Sequence, residues 1–312
     1  MYEEFYSLDE RPFDLSPNPR FLFLSGKHRE ALSNLRYGLT GRPGLTVLIG
    51  EAGTGKTTLV RAALNLSSNS NAGIVHLSNP TLTRSEFFEF LTAEFGFAPE
   101  SASSKTRFLR DLQGAVSNRG QNSSLLALIV DEAQSLSHEL LEEIRLLTNI
   151  EGPSDRSLAV ALVGQPELAD RLNDPRLRQL KQRIALRCEL TPLDLRETAA
   201  YIAARVRVAG GKAEQLFTRE AVLTIHEYSQ GIPRTISVIC DNALVNGFAA
   251  DRKPVGRDLV LDVCRDFHLG SPPQIRAAAQ PHNDGRPMQR NDDGLGGSAM
   301  PPRATRRPFS FF

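Results

Sequence analysis

The sequence is poor in several residue types. Its 312 residues include no tryptophan and only three cysteines, Cys188, Cys240 and Cys264. Cysteines this few and this scattered exclude a disulfide framework and a cysteine-based zinc site, so we expect reduced thiols in a cytoplasmic protein. The six histidines form no HExxH motif or other metal-binding spacing, and we therefore expect them to be structural or surface residues.

Long apolar runs and an excess of one charge are also missing. The longest apolar runs, such as Leu125–Val130, have six residues, whereas a membrane-spanning helix needs about 20. Acidic residues lie where a signal peptide carries positive charge, so we expect no secretion signal either: they are Glu3, Glu4, Asp9 and Glu10. The formal net charge of +1 excludes a uniformly basic nucleic-acid coat but is compatible with a local basic patch.

Between residues 41 and 190, short apolar runs alternate with helical patterns. The runs predict five strands: Leu45–Ile49, Ile74–Leu77, Leu125–Val130, Leu158–Val163 and Ile184–Leu190. The segments between them have apolar residues three or four apart and predict helices at Thr57–Leu66, Arg84–Phe95, Lys105–Val116, Ser137–Thr148 and Pro166–Asn173. Because strands that alternate with helices form parallel sheets covered on both faces, we predict an α/β domain at 41–190 with a five-stranded parallel sheet.

The flanking segments have different patterns. Residues 1–40 form an aromatic and proline-rich segment in which Ser25 is suited to cap a helix that runs to about Leu39. Residues 191–268 predict a small all-α domain with helices at Asp194–Val208, Thr218–Ser229, Pro233–Phe248 and Arg257–Phe267. Residues 269–312 are rich in proline, glycine and arginine and predict a disordered tail.

The strongest motif directly follows the first predicted strand. It matches the phosphate-loop pattern G-x-x-x-x-G-K-[ST] with Gly50, Glu51, Ala52, Gly53, Thr54, Gly55, Lys56 and Thr57. In such a loop the glycines let successive N–H groups point at phosphate oxygens, and the next helix adds its positive N-terminus. We predict that Lys56 reaches the β- and γ-phosphates of ATP, that Thr57 binds Mg²⁺ and that Thr58 lies near the α-phosphate.

Two acids, Asp131 and Glu132, follow the predicted strand Leu125–Val130. An acid at the C-terminal tip of a parallel strand faces the ligand crevice. We predict that Asp131 joins Thr57 in the Mg²⁺ shell and that Glu132 orients or deprotonates the attacking water. The stretch from Asp131 to Gln134 also resembles the DEAH box of helicases, but those need a second α/β domain, which the helical pattern after residue 190 disfavours.

Polar and basic residues follow the fourth predicted strand. Gln165, at its tip, is suited to hydrogen-bond the γ-phosphate or the attacking water. The basic residues after it are Arg171, Arg176, Arg178, Lys181, Arg183 and Arg187. An arginine supplied by a neighbouring subunit can raise the rate of phosphoryl transfer about 10³–10⁵-fold. Our first candidate for it is Arg183, with Arg178 and Arg187 as alternatives.

One further arginine opens a helix of the predicted all-α domain, in the segment Gly231-Ile232-Pro233-Arg234. A cation at a helix N-terminus is unfavourable in itself. We therefore expect Arg234 to reach back to the nucleotide and to couple the nucleotide state to domain closure.

As an ordered set, these motifs resemble those of the AAA+ ATPases. Other phrases narrow the resemblance to the ExeA-type (general secretion pathway protein A) ATPases, relatives of the transposition ATPases TniB and MuB. The phrases are Pro12-Phe13, Pro17-Asn18-Pro19-Arg20-Phe21-Leu22, His28-Arg29-Glu30-Ala31-Leu32, Val163-Gly164-Gln165-Pro166-Glu167-Leu168 and Leu180-Lys181-Gln182-Arg183-Ile184. The resemblance covers about residues 1–268 and implies a P-loop NTPase fold of the AAA+ class, with the all-α domain as its lid.

The resemblance also implies a function. It implies an ATP hydrolase that depends on Mg²⁺, forms homo-oligomers with ATP and drives the assembly or remodelling of a partner complex, linked to secretion or exopolysaccharide export. It further implies that Phe21 and the Pro17–Pro19 turn lie near the adenine, although a simple hydrophobic clamp on the core explains them equally well. ExeA-type proteins usually continue into a membrane segment and a peptidoglycan-binding domain, and neither is evident in this sequence, so we do not expect a direct cell-wall role.

Two alternatives remain open. The first is an ATP-dependent DNA-binding regulator of the TniB/MuB type, in which the basic 171–187 segment or the tail contacts DNA phosphates. The second is a non-hydrolysing nucleotide switch, against which the intact pair Asp131 and Glu132 argues.

Overall fold

A computed structural model describes residues 1–16, 18–39, 44–67, 73–118, 126–150 and 157–270. Its centre is one parallel sheet with the strand order β2-β3-β4-β1-β5. The strands are β1 Leu45–Gly50, β2 Gly73–Leu77, β3 Leu126–Val130, β4 Ala159–Gly164 and β5 Ile184–Leu190. The predicted five-stranded parallel sheet is therefore confirmed. The predicted tail lies outside the described residues from 271 onward, and so does Pro17.

The three central strands are buried along their whole length. This fits their unbroken apolar sequences, because a central parallel strand has helices against both faces. Since β3, β4 and β1 are neighbours, their carboxyl ends lie side by side at one edge of the sheet. The residues that follow these three strands are thereby brought together.

Helices cover both faces of the sheet. The apolar faces of α2 (Gly26–Gly38) and α3 (Lys56–Ser67) pack on one face. The other face is covered by α4 Arg84–Phe95, α5 Lys105–Asn118, α6 His138–Leu147, α7 Pro166–Leu172 and α8 Arg178–Gln182. Ser25 caps α2 as predicted, because its side chain accepts a hydrogen bond from the backbone N–H of His28.

The chain after β5 forms a second, purely helical core. Its helices are α9 Leu195–Val208, α10 Ala213–Leu216, α11 Arg219–Ser229, α12 Pro233–Ala249 and α13 Arg257–Asp266. Four of the five agree with the predicted segments to within a residue or two. The short α10 was not predicted, because four residues are too few to display a helical period. We call this part of the molecule the lid.

The aromatic residues that precede α2 pack on the lid rather than on the sheet. A short helix, α1 (Glu3–Tyr6), places Tyr2 and Tyr6 in the lid core together with Phe13 and Phe21. Arg205 of α9 donates to the carbonyl oxygen of Pro12, and its guanidinium lies 4.9 Å from the centre of the Phe21 ring. The aromatic residues therefore clamp this segment onto the lid core, and Phe21 is part of that core.

Two expectations from composition also bear on the fold. Cys188, Cys240 and Cys264 are all buried and unpaired, as expected of reduced structural thiols. Within the described ranges, no helix combines the length and the apolar character that a membrane crossing requires.

Candidate functional site

The loop between β1 and α3 folds tightly around the ammonium group of Lys56. Gly53 and Gly55 adopt positive φ angles of 83° and 100°, a region that favours glycine. The Lys56 Nζ donates to the carbonyl oxygens of Gly50 and Glu51 at 2.7 and 3.0 Å. Burial lowers the pKa of the Lys56 ammonium, and the carboxylates of Glu132 and Asp131 oppose that shift. The loop thus holds a partly desolvated cation at the carboxyl end of β1.

The other residues of the predicted phosphate loop surround the Lys56 ammonium group. The buried Thr54 hydroxyl donates to the Glu51 carbonyl oxygen at 2.8 Å. A Cβ atom at Gly50 would lie 2.9 Å from that hydroxyl, so the approach requires a glycine. Ala52 and Thr58 are exposed, the latter in the first turn of α3.

Thr57 and Asp131 join the loop to the tip of β3. The Thr57 hydroxyl donates to Asp131 Oδ2 at 2.7 Å, and the Asp131 side chain is buried. Hydroxyl and carboxylate oxygens are ligands that Mg²⁺ prefers, so this pair fits the predicted metal position. The described parts of the chain contain no cluster of three or more histidine, cysteine or acidic side chains that could hold a metal. Mg²⁺ is commonly held by one or two protein oxygens together with substrate phosphates, and the Thr57–Asp131 pair supplies two such oxygens.

Glu132 lies beside this pair in an unusual backbone conformation, with φ at 51°. Its Oε2 accepts hydrogen bonds from Gln134 Nε2 at 2.6 Å and from Gln165 Nε2 at 3.2 Å. The hydrogen bond from Gln134 is the main cause that lowers the pKa of Glu132, and that from Gln165 adds to it. Glu132 is thereby stabilised as a carboxylate, the form that a general base requires.

Gln165 lies at the tip of β4, next to the β3 strand that carries Asp131 and Glu132. This is the neighbourhood that the sequence predicted for it. Its side-chain amide donates to Glu132, and its backbone N–H donates to Gln134 Oε1 at 3.0 Å. Two neighbouring strand tips are thus linked by polar side chains.

The lid contacts the loop through the N-terminus of α12. The first N–H groups of a helix lack partners within the helix, and the Ile232 side chain offers no cap. The backbone N–H of Arg234 donates instead to the Gly53 carbonyl oxygen at 3.2 Å. Gly231, with φ at 72°, packs against the backbone of Leu193, which donates to the Gly231 carbonyl oxygen. The segment that contains Arg234 therefore lies against the loop.

Arg183, the first candidate for the trans arginine, lies away from the loop of its own chain. The Arg183 carbonyl oxygen accepts from the backbone N–H of Leu45 at the start of β1, and its side chain is exposed. The loop begins at the other end of β1, about 17 Å away at roughly 3.3 Å per residue. Arg178 and Arg187 are exposed as well. The structure therefore does not bring Arg183 to the loop of its own chain.

The contacts of two residues in this region, His28 and Gln134, were not predicted from the sequence. The ring of His28, at the start of α2, lies 2.8 Å from Ser25 Oγ through Nδ1 and 2.9 Å from the Thr54 carbonyl oxygen through Nε2. Because a carbonyl oxygen only accepts, Nε2 is the donor. The His28 ring therefore stabilises the loop at Thr54. Gln134, the second residue, was seen only as part of the helicase-like stretch. No spacing rule links either residue to the loop, so the sequence alone offered no signal for these contacts.

Comparisons with known proteins agree with this fold. Residues 39–172 match the family described as an AAA domain. The general secretion pathway protein A of Aeromonas hydrophila is 43% identical over 252 residues, which are 80% of this chain and 45% of that protein. The chain therefore spans less than half the length of this relative.

Solved structures resemble the fold at low identity. The ORC2 protein of Aeropyrum pernix in its ADP form has a TM-score of 0.60 and 18% identity, over 83% of this chain and 72% of that one. Cdc6p of Pyrobaculum aerophilum has a TM-score of 0.59 and 15% identity, over 83% and 71%. At these identities the likeness shows the fold alone, and the fold is the one that the sequence predicted.

Proposed function

Because this chain is an ExeA-like AAA+ protein, we propose that it hydrolyses ATP with Mg²⁺ and uses the nucleotide state to assemble or remodel a partner complex. The observation that carries the proposal is the 2.7 Å hydrogen bond between Thr57 and Asp131. It joins the phosphate loop to the acid at the β3 tip, directly beside Glu132.

The loop residues bind the triphosphate in this proposal. The positive φ angles of Gly53 and Gly55 leave loop N–H groups available for phosphate oxygens, and the N-terminus of α3 adds a positive dipole end. Lys56 exchanges its two carbonyl partners, Gly50 and Glu51, for phosphate oxygens. The exchange is favourable because a charge-assisted hydrogen bond to an anion is stronger than one to a neutral carbonyl.

Thr57 and Asp131 would hold Mg²⁺ through their hydroxyl and carboxylate oxygens. When bound, the ion would offset phosphate charge and fix the orientation of the terminal phosphoryl group. Glu132 then takes the proton of the attacking water, and Gln165 orients its carboxylate from the adjacent strand. Because the hydrogen bond from Gln134 lowers the pKa of Glu132, this base stays deprotonated.

A second subunit completes the site in this proposal. Negative charge that develops on the phosphoryl oxygens calls for an arginine, and Arg183 lies at the end of β1 opposite to the loop of its own chain. Arg183 therefore serves the site of a neighbour in a homo-oligomer formed with ATP. The link from Gly53 to Arg234 transmits the nucleotide state to the lid.

A DNA-binding regulator remains the second candidate. The observation that favours it is the exposure of Arg178, Arg183 and Arg187 on one short segment, where they can contact DNA phosphates. DNA binding of this kind requires ATP and weakens steeply with salt. If the same arginines serve a neighbouring subunit, added DNA leaves turnover and affinity for nucleotide unchanged.

The decisive experiment measures phosphate release from ATP by the purified full chain. We expect turnover that requires Mg²⁺, rises more than in proportion to protein concentration as oligomers form, and disappears in the Lys56→Ala variant. Parallel reactions with double-stranded DNA at low and high salt distinguish the second candidate. Tight ATP binding without turnover at any protein concentration would instead identify a non-hydrolysing switch.

A further inference from the structure

The side chain of Gln134 connects Glu132 to the neighbouring β4 strand. Its Nε2 donates to Glu132 Oε2 at 2.6 Å, while its Oε1 accepts from the backbone N–H of Gln165 at 3.0 Å. Because an amide nitrogen donates and an amide oxygen accepts, these two contacts allow one orientation of the amide group. The orientation of the Gln134 amide is therefore fixed by the backbone of β4.

The β4 strand has a glycine where this amide approaches it. A Cβ atom at Gly164 would lie 2.8 Å from Gln134 Oε1 and 2.9 Å from Leu168 Cδ2. The contact with Gln134 Oε1 would push the amide away from the Gln165 backbone. The contact with Leu168 would force the added atom against the packed face of α7. Gly164 thus leaves the space in which the amide sits.

The backbone of Gln134 has its own support from α7. Arg171 Nη1 donates to the Gln134 carbonyl oxygen. This carbonyl belongs to a 3₁₀ turn at Ala133–Ser135, directly after Glu132. The helix that carries Arg171 continues through a turn at Pro175–Leu177 into α8, which ends beside Arg183. Glu132 is thereby connected, through Gln134, to the segment proposed to meet a neighbouring subunit.

We propose that Gln134 is a positioning residue that fixes the carboxylate of Glu132 for its role as base, with Arg171 supporting Gln134 from behind. This inference rests on the proposed ATPase function. The Gln134 amide hydrogen-bonds Glu132 Oε2. The other carboxylate oxygen, Oε1, makes no hydrogen bond within the described part of the chain, so it is free to accept the proton of water. Gln165 alone, at 3.2 Å, is a weaker anchor for the same oxygen.

The test compares two variants of Gln134 in the full chain. Gln134→Glu keeps the side-chain shape and the oxygen that accepts from the Gln165 N–H, but it replaces the amide that donates to Glu132 by an acceptor. Gln134→Ala removes both contacts. We expect kcat to fall about 10–100-fold in both, because misplacing a catalytic group by about 1 Å costs up to about 100-fold. Equilibrium ATP affinity, KM and the thermal midpoint of Gln134→Ala should stay close to wild type. Gln215→Ala, an exposed lid residue, serves as the control.

Arg171 provides a second, independent arm of the test. Arg171→Ala should lower kcat in the same direction but by less, and it should add little in a Gln134→Ala background, because both act through one contact. Arg265→Ala, on the lid surface, should leave kcat unchanged.

The outcomes separate this inference from the function on which it rests. If Glu132→Gln abolishes turnover but Gln134→Glu and Gln134→Ala turn over like wild type, the positioning role is wrong and the proposed function stands. A rise of kcat in Gln134→Ala would also overturn it, because the contact would then restrain Glu132. If Glu132→Gln keeps wild-type turnover, the proposed base is itself wrong.

Discussion

The backbone N–H of Arg234 donates to the carbonyl oxygen of Gly53 across 3.2 Å. The first N–H groups of α12 have no acceptor within the helix. The phosphate loop supplies the acceptor for one of them, the N–H of Arg234. This hydrogen bond couples the position of the loop to that of the lid. We expect ATP binding to reorganise the loop around Lys56. The position of the lid relative to the loop should change as a result.

Gly53→Ala tests this coupling. The new Cβ would lie 2.9 Å from Arg234 Cβ and 3.0 Å from Ile232 Cγ2, at a position with φ of 83°. We expect the lid to be displaced and ATP affinity to fall at least about tenfold, the effect of about 1.4 kcal/mol. Equilibrium binding of a fluorescent ATP analogue measures it.

The matched control for that variant is Gly96→Ala. Gly96 also has a positive φ, 70°, but an added Cβ meets nothing within 4 Å. It should therefore lose about 1 kcal/mol of stability from backbone strain while its affinity for nucleotide stays at the wild-type value. Equal losses of affinity in both variants would mean that strain, rather than contact with the lid, is responsible.

His28→Phe tests the support beneath the loop. The substitution removes the donor to the Thr54 carbonyl oxygen and the contact with Ser25 while it keeps an aromatic ring. We expect ATP affinity to fall at least about fivefold, since one lost hydrogen bond in a buried site costs about 1–3 kcal/mol. Isothermal titration measures the loss. His226→Phe, which breaks a contact with Thr198 in the lid, should reduce stability and leave ATP affinity unaltered.

Thr57→Val tests the proposed Mg²⁺ position with almost no change of volume. It deletes the hydroxyl that donates to Asp131. Wild-type ATP affinity should increase with Mg²⁺, whereas the variant should bind ATP with the same affinity in Mg²⁺ and in EDTA. Thr224→Val in the lid, where the hydroxyl bonds the Glu220 carbonyl oxygen, controls for loss of a threonine hydroxyl. A Mg²⁺ response of normal size in Thr57→Val would remove Thr57 from the metal site.

Arg183→Ala tests the proposed site between subunits. Alone it should lose turnover by about 10³-fold or more and keep wild-type ATP affinity. Mixing it with the Lys56→Ala protein should restore activity, because each Lys56→Ala subunit still offers its Arg183 to a neighbour. If mixing restores nothing, the same experiment with Arg178→Ala and Arg187→Ala decides whether another arginine of the segment acts in its place.

Local features of this protein were readable from its sequence. The helix Arg84–Phe95 has the predicted bounds, because Thr83 caps its start and Gly96 ends it. The phosphate loop is one continuous stretch, and Asp131 and Gln165 were found because acids and amides at the tips of parallel strands face one crevice. In each case the signal lies within a few consecutive residues.

Contacts between distant segments were not readable in this way. The packing of the N-terminal aromatic residues on the lid depends on pairs such as Phe13 and Phe217, which no periodicity connects. The contact of His28 with Thr54 and that of Gln134 with Gln165 likewise depend on how separate elements meet in space. Such pairs become visible only when the sheet order and the path of each turn are known.

The most direct test of the proposed nucleotide site is the affinity of the full chain for ATP with and without the Lys56 ammonium. Isothermal titration in Mg²⁺ should show one ATP bound per wild-type chain. Lys56→Ala should bind at least about 10–100-fold more weakly, which corresponds to one lost charge-assisted hydrogen bond or more. Lys212→Ala, an exposed lysine of the lid, should bind like wild type. Equal ATP affinity in Lys56→Ala and the wild type would contradict a triphosphate seated in this loop.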